Sequence, residues 1–155
     1  VIFGASPLAS VSLASVSLAG EKLAGATPAP APSPVGRASA DIRRGGWRPS
    51  TGSALYPMVN EAEADANTSY IRTNTLSTCE IALGTMTVPG NRMRYKAASS
   101  LGNGLVFELL SDGVLVASWA HSLTATDDIY SHTLTPAQMA MMTGGYLTAR
   151  MTATQ

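Results

Sequence analysis

The sequence predicts an all-β fold: an antiparallel β-sandwich of jelly-roll-like type with one short helix, preceded by an extended N-terminal arm. Three observations predict it. From residue 54 onward, short apolar or alternating runs recur at roughly ten-residue spacing between Gly-containing turns. An Asp112-Gly113 pair sits between two of the most apolar runs. A stretch with proline at every second position separates this region from a leading segment that lacks charge until Glu21. The expected organisation is an apolar docking arm over 1–25, a Pro-rich and Arg-containing linker over 26–53, and the sandwich over 54–155.

The leading segment contains a five-residue repeat, LASVS at 8–12 and again at 13–17, followed by LAG. A period of five matches neither the helical 3.6 nor the strand 2.0, so the segment has no continuous amphipathic face of its own. Laid against a partner in extended form, it would place Phe3, Leu8, Val11, Leu13, Val16 and Leu18 in successive shallow pockets. The bland alternative is a flexible tail. Residues 1–20 lack a basic start, and serines at 10, 12, 15 and 17 interrupt the apolar run. The segment therefore reads neither as a signal peptide nor as a membrane span.

Residues 26–34 carry proline at 28, 30, 32 and 34. Each ring fixes its own φ and biases the residue before it to extended geometry, which predicts a semi-rigid polyproline II spacer. Arg43, Arg44, Trp47 and Arg48 follow, with Arg37 nearby. An arginine cluster around an aromatic suits an acidic protein surface, a phosphate or a stacked base. A protein contact is favoured because no basic continuation follows; the alternative is a solvated hinge whose Trp packs on the domain edge.

Within the sandwich, strands are expected over 70–73, 79–83, 93–97, 105–110, 114–119, 129–134 and 146–154. The runs on either side of Asp112-Gly113 form the strongest hairpin signal in the chain. Thr135 reads as a helix N-cap with Pro136 at the first helical position, and Gly144-Gly145 ends the helix.

Composition narrows the function. Ten basic residues balance ten acidic ones among 155, which argues against nucleic acid or an anionic membrane as partner. Only 13% of residues are charged, so the surface relies on small polar side chains or is covered by other chains. One cysteine excludes an intramolecular disulfide, and Cys79 reads as a buried, inert thiol.

His121, Asp127, Asp128 and His132 are the one cluster with metal-ligating side chains, but their spacing matches no zinc motif, and an exposed acidic loop is the simpler expectation. Ser118, Ser122 and Ser131 lie near these histidines in sequence without a nucleophile elbow. Glu80 and Glu108 are single acids on separate strands. Trp119, Tyr95, Tyr130 and Tyr146 suit either core packing or a sugar-stacking platform, with core packing favoured. No catalytic residue, cofactor or metal ligand is assigned.

Several pieces together resemble a family. The run GVLVASWAH ending at His121, YSHTLTPAQ beginning at Tyr130 and YLTARMTAT beginning at Tyr146 resemble a β-sandwich domain of structural proteins in tailed bacteriophages and prophages. FGASPL, beginning at Phe3, is similar to the start of small phage structural proteins. The loop MMTGG departs from the short Asp- or Ser-containing turn of that pattern. The resemblance implies a non-enzymatic virion component assembled in the bacterial cytoplasm: a capsid decoration, head spike or fibre base anchored by its arm to capsid or tail subunits. It implies no catalytic residues. Low charge adds the expectation of a homo-oligomer, a trimer being one arrangement. The alternative is a carbohydrate- or receptor-binding module that holds a host glycan through Trp119 and Tyr130.

Overall fold

Period-two alternation marks the strands over 93–97 and 146–154, which bury alternate side chains in the core between two sheets. The computed structural model describes residues 11–19, 36–59, 69–86 and 90–155. Among them, the strands in chain order are β1 (Val11–Ala19), β2 (Gly36–Arg37), β3 (Ala40–Arg43), β4 (Arg48–Pro49), β5 (Ile71–Thr73) and β6 (Thr78–Thr85). They continue with β7 (Arg92–Ser99), β8 (Gly104–Ser111), β9 (Val114–Ser122), β10 (Asp128–Thr133) and β11 (Tyr146–Thr154). One α-helix, α1 (Pro136–Met142), precedes β11, and a 3₁₀ turn spans Tyr56–Met58.

The strands form an all-β antiparallel sandwich. Sheet one runs β10-β7-β1-β5-β4, with β2 also paired to β1; sheet two runs β3-β6-β11-β8-β9. The core lies between them, where Met93 and Tyr95 of β7 share one apolar cluster with Leu105 and Phe107 of β8 and Leu147 and Met151 of β11. Tyr95 and Phe107 stack across the two sheets with centroids 4.1 Å apart and planes at 8°. Burying each such side chain contributes about 1.5–3 kcal/mol.

Two local signals produce the expected elements. Ser111 pairs with Val114 across a two-residue turn, and both Asp112 (φ 50°) and Gly113 (φ 80°) take the positive φ that a tight hairpin of this twist demands. Thr135 caps α1 reciprocally: its hydroxyl accepts from the Gln138 amide at 3.2 Å, and the Gln138 side chain accepts from the Thr135 amide at 2.9 Å.

The domain boundaries differ from those expected. Residues 11–19 are not a separate arm; they form β1, in the middle of sheet one. A single register shift between Leu13 and Val16 resolves the five-residue repeat. Across it, β1 advances three residues while β7 advances two. Val11, Leu13, Val16 and Leu18 therefore all register opposite Ser99, Ala97, Tyr95 and Met93, the buried alternate positions of β7. One register shift turns a pattern with no usable period into one continuous strand pairing. Phe3 and Leu8, like the proline-rich run 26–34, lie outside the described residues.

The segment expected to be linker is also part of the sandwich from Gly36 onward. β3 is the outer strand of sheet two and β4 the outer strand of sheet one, so the turn between them closes one flank. Trp47, in that turn, is 2% exposed, and its indole N–H donates to the Ser77 carbonyl at 3.1 Å. Trp47 is thus core, not a free contact for a partner, whereas Arg43, Arg44 and Arg48 are exposed around it. Arg44 lies 3.6 Å from Asp41. The charges stay in water while the indole fills the flank, which is the physical reason the cluster looked like a surface motif.

Candidate functional site

The opposite flank lies between the two remaining outer strands, β9 of sheet two and β10 of sheet one. A register shift at Leu109/Leu110 inserts one extra residue in β9, so that Val116 and Ala117 are both buried. Beyond it, Trp119 and His121 register opposite Phe107 and Leu105, two fully buried residues of β8. On β10, Tyr130 and His132 register opposite Tyr95 and Met93 of β7. Alternation on two unrelated strands thus delivers four half-buried rings to one place.

The rings face one another. His132 lies against Trp119, centroids 4.4 Å apart and planes at 13°. His121 packs on Tyr130 at 4.0 Å, and the two imidazoles are 5.4 Å apart. At the inner end, the fully buried Tyr95 hydroxyl serves both histidines, 2.5 Å from Nε2 of His121 and 3.2 Å from Nε2 of His132. A phenol has one proton. The arrangement that uses that proton within the network has it donated to one Nε2 while the other imidazole donates its Nε2–H to the phenol oxygen, which gives the two neutral histidines opposite tautomers.

Electrostatics keeps this network uncharged. Burial, and then the neighbouring Tyr130, push the Tyr95 phenol well above its ordinary range. Burial lowers His121, with His132 adding to the effect, and burial lowers His132. Tyr130 is raised by burial and then by Asp128. At neutral pH the flank is closed by four aromatic rings and one shared hydroxyl, all neutral. Among the described residues, no buried side-chain polar atom lacks a partner.

Set against protein-family models, curated proteins and solved structures, the chain matches none.

The structure sorts the remaining candidates. His132 lies on the strand expected over 129–134, and His121 lies on the end of β9, beyond the expected 114–119 and not in an exposed loop. Asp127 and Asp128 point their charges elsewhere, to Lys96 at 3.6 Å and to the Thr124 hydroxyl at 2.9 Å. No group of three His, Cys, Asp or Glu suited to a metal occurs among the described residues. Ser118, Ser122 and Ser131 are exposed, on the opposite parity to the histidines, so strand geometry separates each hydroxyl from the imidazoles. Tyr146 is exposed at the start of β11 and takes no part in the ring cluster.

Glu80 and Glu108 flank Arg150 across three adjacent strands, with Nε 2.7 Å from Glu80 and Nη1 3.6 Å from Glu108. The hydrogen bond to Glu80, chiefly, holds the guanidinium above its ordinary pKa. The two acids are a charge-paired ladder around an arginine, not a pair of free carboxyls. Cys79 is fully buried, and burial, then Asp41 and Glu80, push its thiol far up, which disfavours the thiolate.

Sequence reasoning weighed Trp119, Tyr95 and Tyr130 together but set the histidines apart from them. The usable signal was parity: Trp119 and His121, like Tyr130 and His132, are two residues apart on one strand.

Proposed function

We propose that the protein is a non-enzymatic structural subunit of a bacteriophage or prophage particle, a capsid decoration, head spike or fibre base, that works by assembly with other virion proteins. The observation that carries this reading is the outer edge of β9, which pairs with no second strand among the described residues. The strand runs nine residues, Val114–Ser122, pairs on one side with β8, and contains neither charge nor proline. The bulge at Val116, whose carbonyl accepts from the Gln138 side chain of α1 at 3.3 Å, interrupts the first part of this edge; the stretch 117–122 beyond it has no such interruption and is a template for strand addition by a neighbour. Val114 and Leu115 at its start are exposed, as are Met141 of α1 and Tyr146 of β11. The docking surface therefore moves from the leading arm, whose residues 11–19 are engaged in sheet one, to β9.

The ring cluster supports a structural role as well, because its histidines are engaged with Tyr95 and with neighbouring rings rather than poised at a nucleophile. It also weighs against the carbohydrate-binding reading. A sugar platform needs an open indole face, whereas Trp119 carries His132 on one side and has Phe107 at 6.1 Å.

The test is composition of the particle. Virions purified by density gradient from a lysate of the host that carries the gene should contain the chain in stoichiometric amount. Ser118→Lys/Ala120→Lys, at two exposed positions of β9, should leave the domain folded and abolish incorporation. A chain confined to the soluble fraction overturns the proposal.

A further inference from the structure

We infer that the segment from Ala125 to Thr133, which contains β10, is an acid-released flap: when His121 and His132 both carry a proton, it lifts from β7 while the rest of the sandwich stays closed. The inference does not rest on the particle reading.

The flap is bounded by two anchors. Leu123 and Leu134 are 3% and 2% exposed. The Leu123 N–H donates to the Asn103 carbonyl at 3.1 Å, the Ser99 N–H to the Thr124 carbonyl at 2.7 Å, and the Leu134 N–H to the Asn91 carbonyl at 2.7 Å. Between these points no residue is fully buried. β10 pairs with β7 over six residues and with no second strand among the described residues. Its side chains alternate, so that Asp128, Tyr130 and His132 register opposite the buried Ala97, Tyr95 and Met93, each of the three half-buried. The hold of β10 on sheet two therefore rests on the contact of Tyr130 with His121 and of His132 with Trp119. An outer strand with so little buried apolar surface belongs to the part of a fold that opens first.

The same contacts are where protons act. The Tyr95 oxygen has one proton to give and two lone pairs to offer. With both imidazoles neutral, that proton goes to one Nε2 and the other Nε2–H comes back. A first added proton leaves this exchange intact, because it enters at Nδ1 of the imidazole that already donates. On His132 the charge lies against the Trp119 face, a favourable seat for a cation. A second proton takes the Nε2 that had accepted from Tyr95. The phenol proton then loses its acceptor, and two positive rings stand 5.4 Å apart. Burial disfavours charge on both imidazoles, and His132 adds to the effect on His121.

The surroundings offer little to balance the second charge. Tyr95 of β7 and Tyr130 of β10 face the pair, with Asp128 beside Tyr130. β8 contributes Leu105 and Phe107, β9 contributes Trp119, and α1 has no titratable side chain. Arg92, Arg94 and Lys96 take or flank the opposite parity on β7, and Lys96 meets Asp127 at 3.6 Å. Asp128 is bonded to the Thr124 hydroxyl rather than to an imidazole. The charge is relieved by parting β10 from the cluster, which hydrates both imidazoles and leaves sheet two and the pairing of β7 with β1 in place.

The experiment is amide hydrogen exchange of the full chain from about pH 7 to about pH 5, read by mass spectrometry and divided by the intrinsic rate at each pH. The central strand β11 is the reference for opening of the whole fold. Peptides over 125–133 should exchange faster than those of β11 at every pH. Their corrected rate should rise about tenfold or more across that range, as the open state takes up protons that the closed state refuses. In His121→Gln/His132→Gln the corrected rate over 125–133 should not change with pH. Exchange over 125–133 no faster than in β11 overturns the proposal, because the opening is then global. A corrected rate that ignores pH in the unsubstituted chain overturns it as well, and so does an equal rise in the double variant. The first two results need no substitution, so they decide the matter even where the variant folds poorly.

Discussion

Asp41 accepts the backbone N–H of Tyr56 at 2.7 Å, and both of its carboxylate oxygens face the N–H of Leu55, at 3.0 and 2.8 Å. The 3₁₀ turn at Tyr56–Met58 has no capping side chain of its own. A carboxylate fourteen residues earlier supplies it, tying β3 to the segment that carries the buried Leu55 and Val59.

Removing that carboxylate should therefore loosen a tertiary connection as well as a turn. Asp41→Ala is expected to cost about 1–2 kcal/mol, measured by guanidinium unfolding. Asp41→Asn, which keeps one acceptor oxygen, should cost less.

Trp47 distinguishes a linker from a wall of the sandwich. Trp47→Ala should destabilise the domain by about 3–5 kcal/mol, read as a fall in denaturation midpoint and faster proteolysis. Arg48→Ala, beside it and exposed, should change stability little. Equal behaviour of the two variants would contradict the placement of the indole.

Gly45 turns the chain between β3 and β4 at φ +54°, and a Cβ there would collide with the Thr78 carbonyl oxygen. Gly52 has φ +72° but open space around it. Gly52→Ala should cost about 1 kcal/mol from backbone strain alone. Gly45→Ala should cost clearly more, because backbone must move; parallel denaturation curves compare them.

The ring cluster makes stability depend on pH. The folded chain holds His121 and His132 below the ordinary value of 6.5. As pH falls below about 6.5 the unfolded chain takes up protons that the folded chain refuses, so stability is full above that value and declines as pH falls through the folded values. The groups facing the pair are Tyr95 and Tyr130, with Asp128 beside Tyr130. His121→Gln/His132→Gln should flatten melting temperature against pH between about 6.5 and 5. Tyr95→Phe, which leaves both imidazoles without their shared partner, should cost about 1–3 kcal/mol at neutral pH.

What the sequence made legible was local. The Asp112-Gly113 hairpin, the Thr135 cap and the alternation of 146–154 each carry their signal within a few residues, and the structure reproduces all three. What it hid was non-local. The five-residue repeat is decipherable as a strand only with β7 beside it, because the bulge between Leu13 and Val16 has meaning only as a register. Trp47 was masked by the arginines around it, whose heads stay in water. The histidine pair was hidden for a related reason: Trp119–His121 and Tyr130–His132 belong to different sheets, and nothing along the chain announces that β9 and β10 form the same flank.

The two tryptophans sit at opposite flanks, and one of them has an imidazole for a neighbour. Neutral imidazole leaves an excited indole bright, whereas imidazolium accepts its electron and quenches it. Acidification should thus dim the emission of Trp119 through His132, while Trp47, hydrogen-bonded to a carbonyl on the far side, keeps its light until the chain unfolds. The molecule carries a built-in optical gauge of its own protonation, and its second lamp reports whether the fold is still intact.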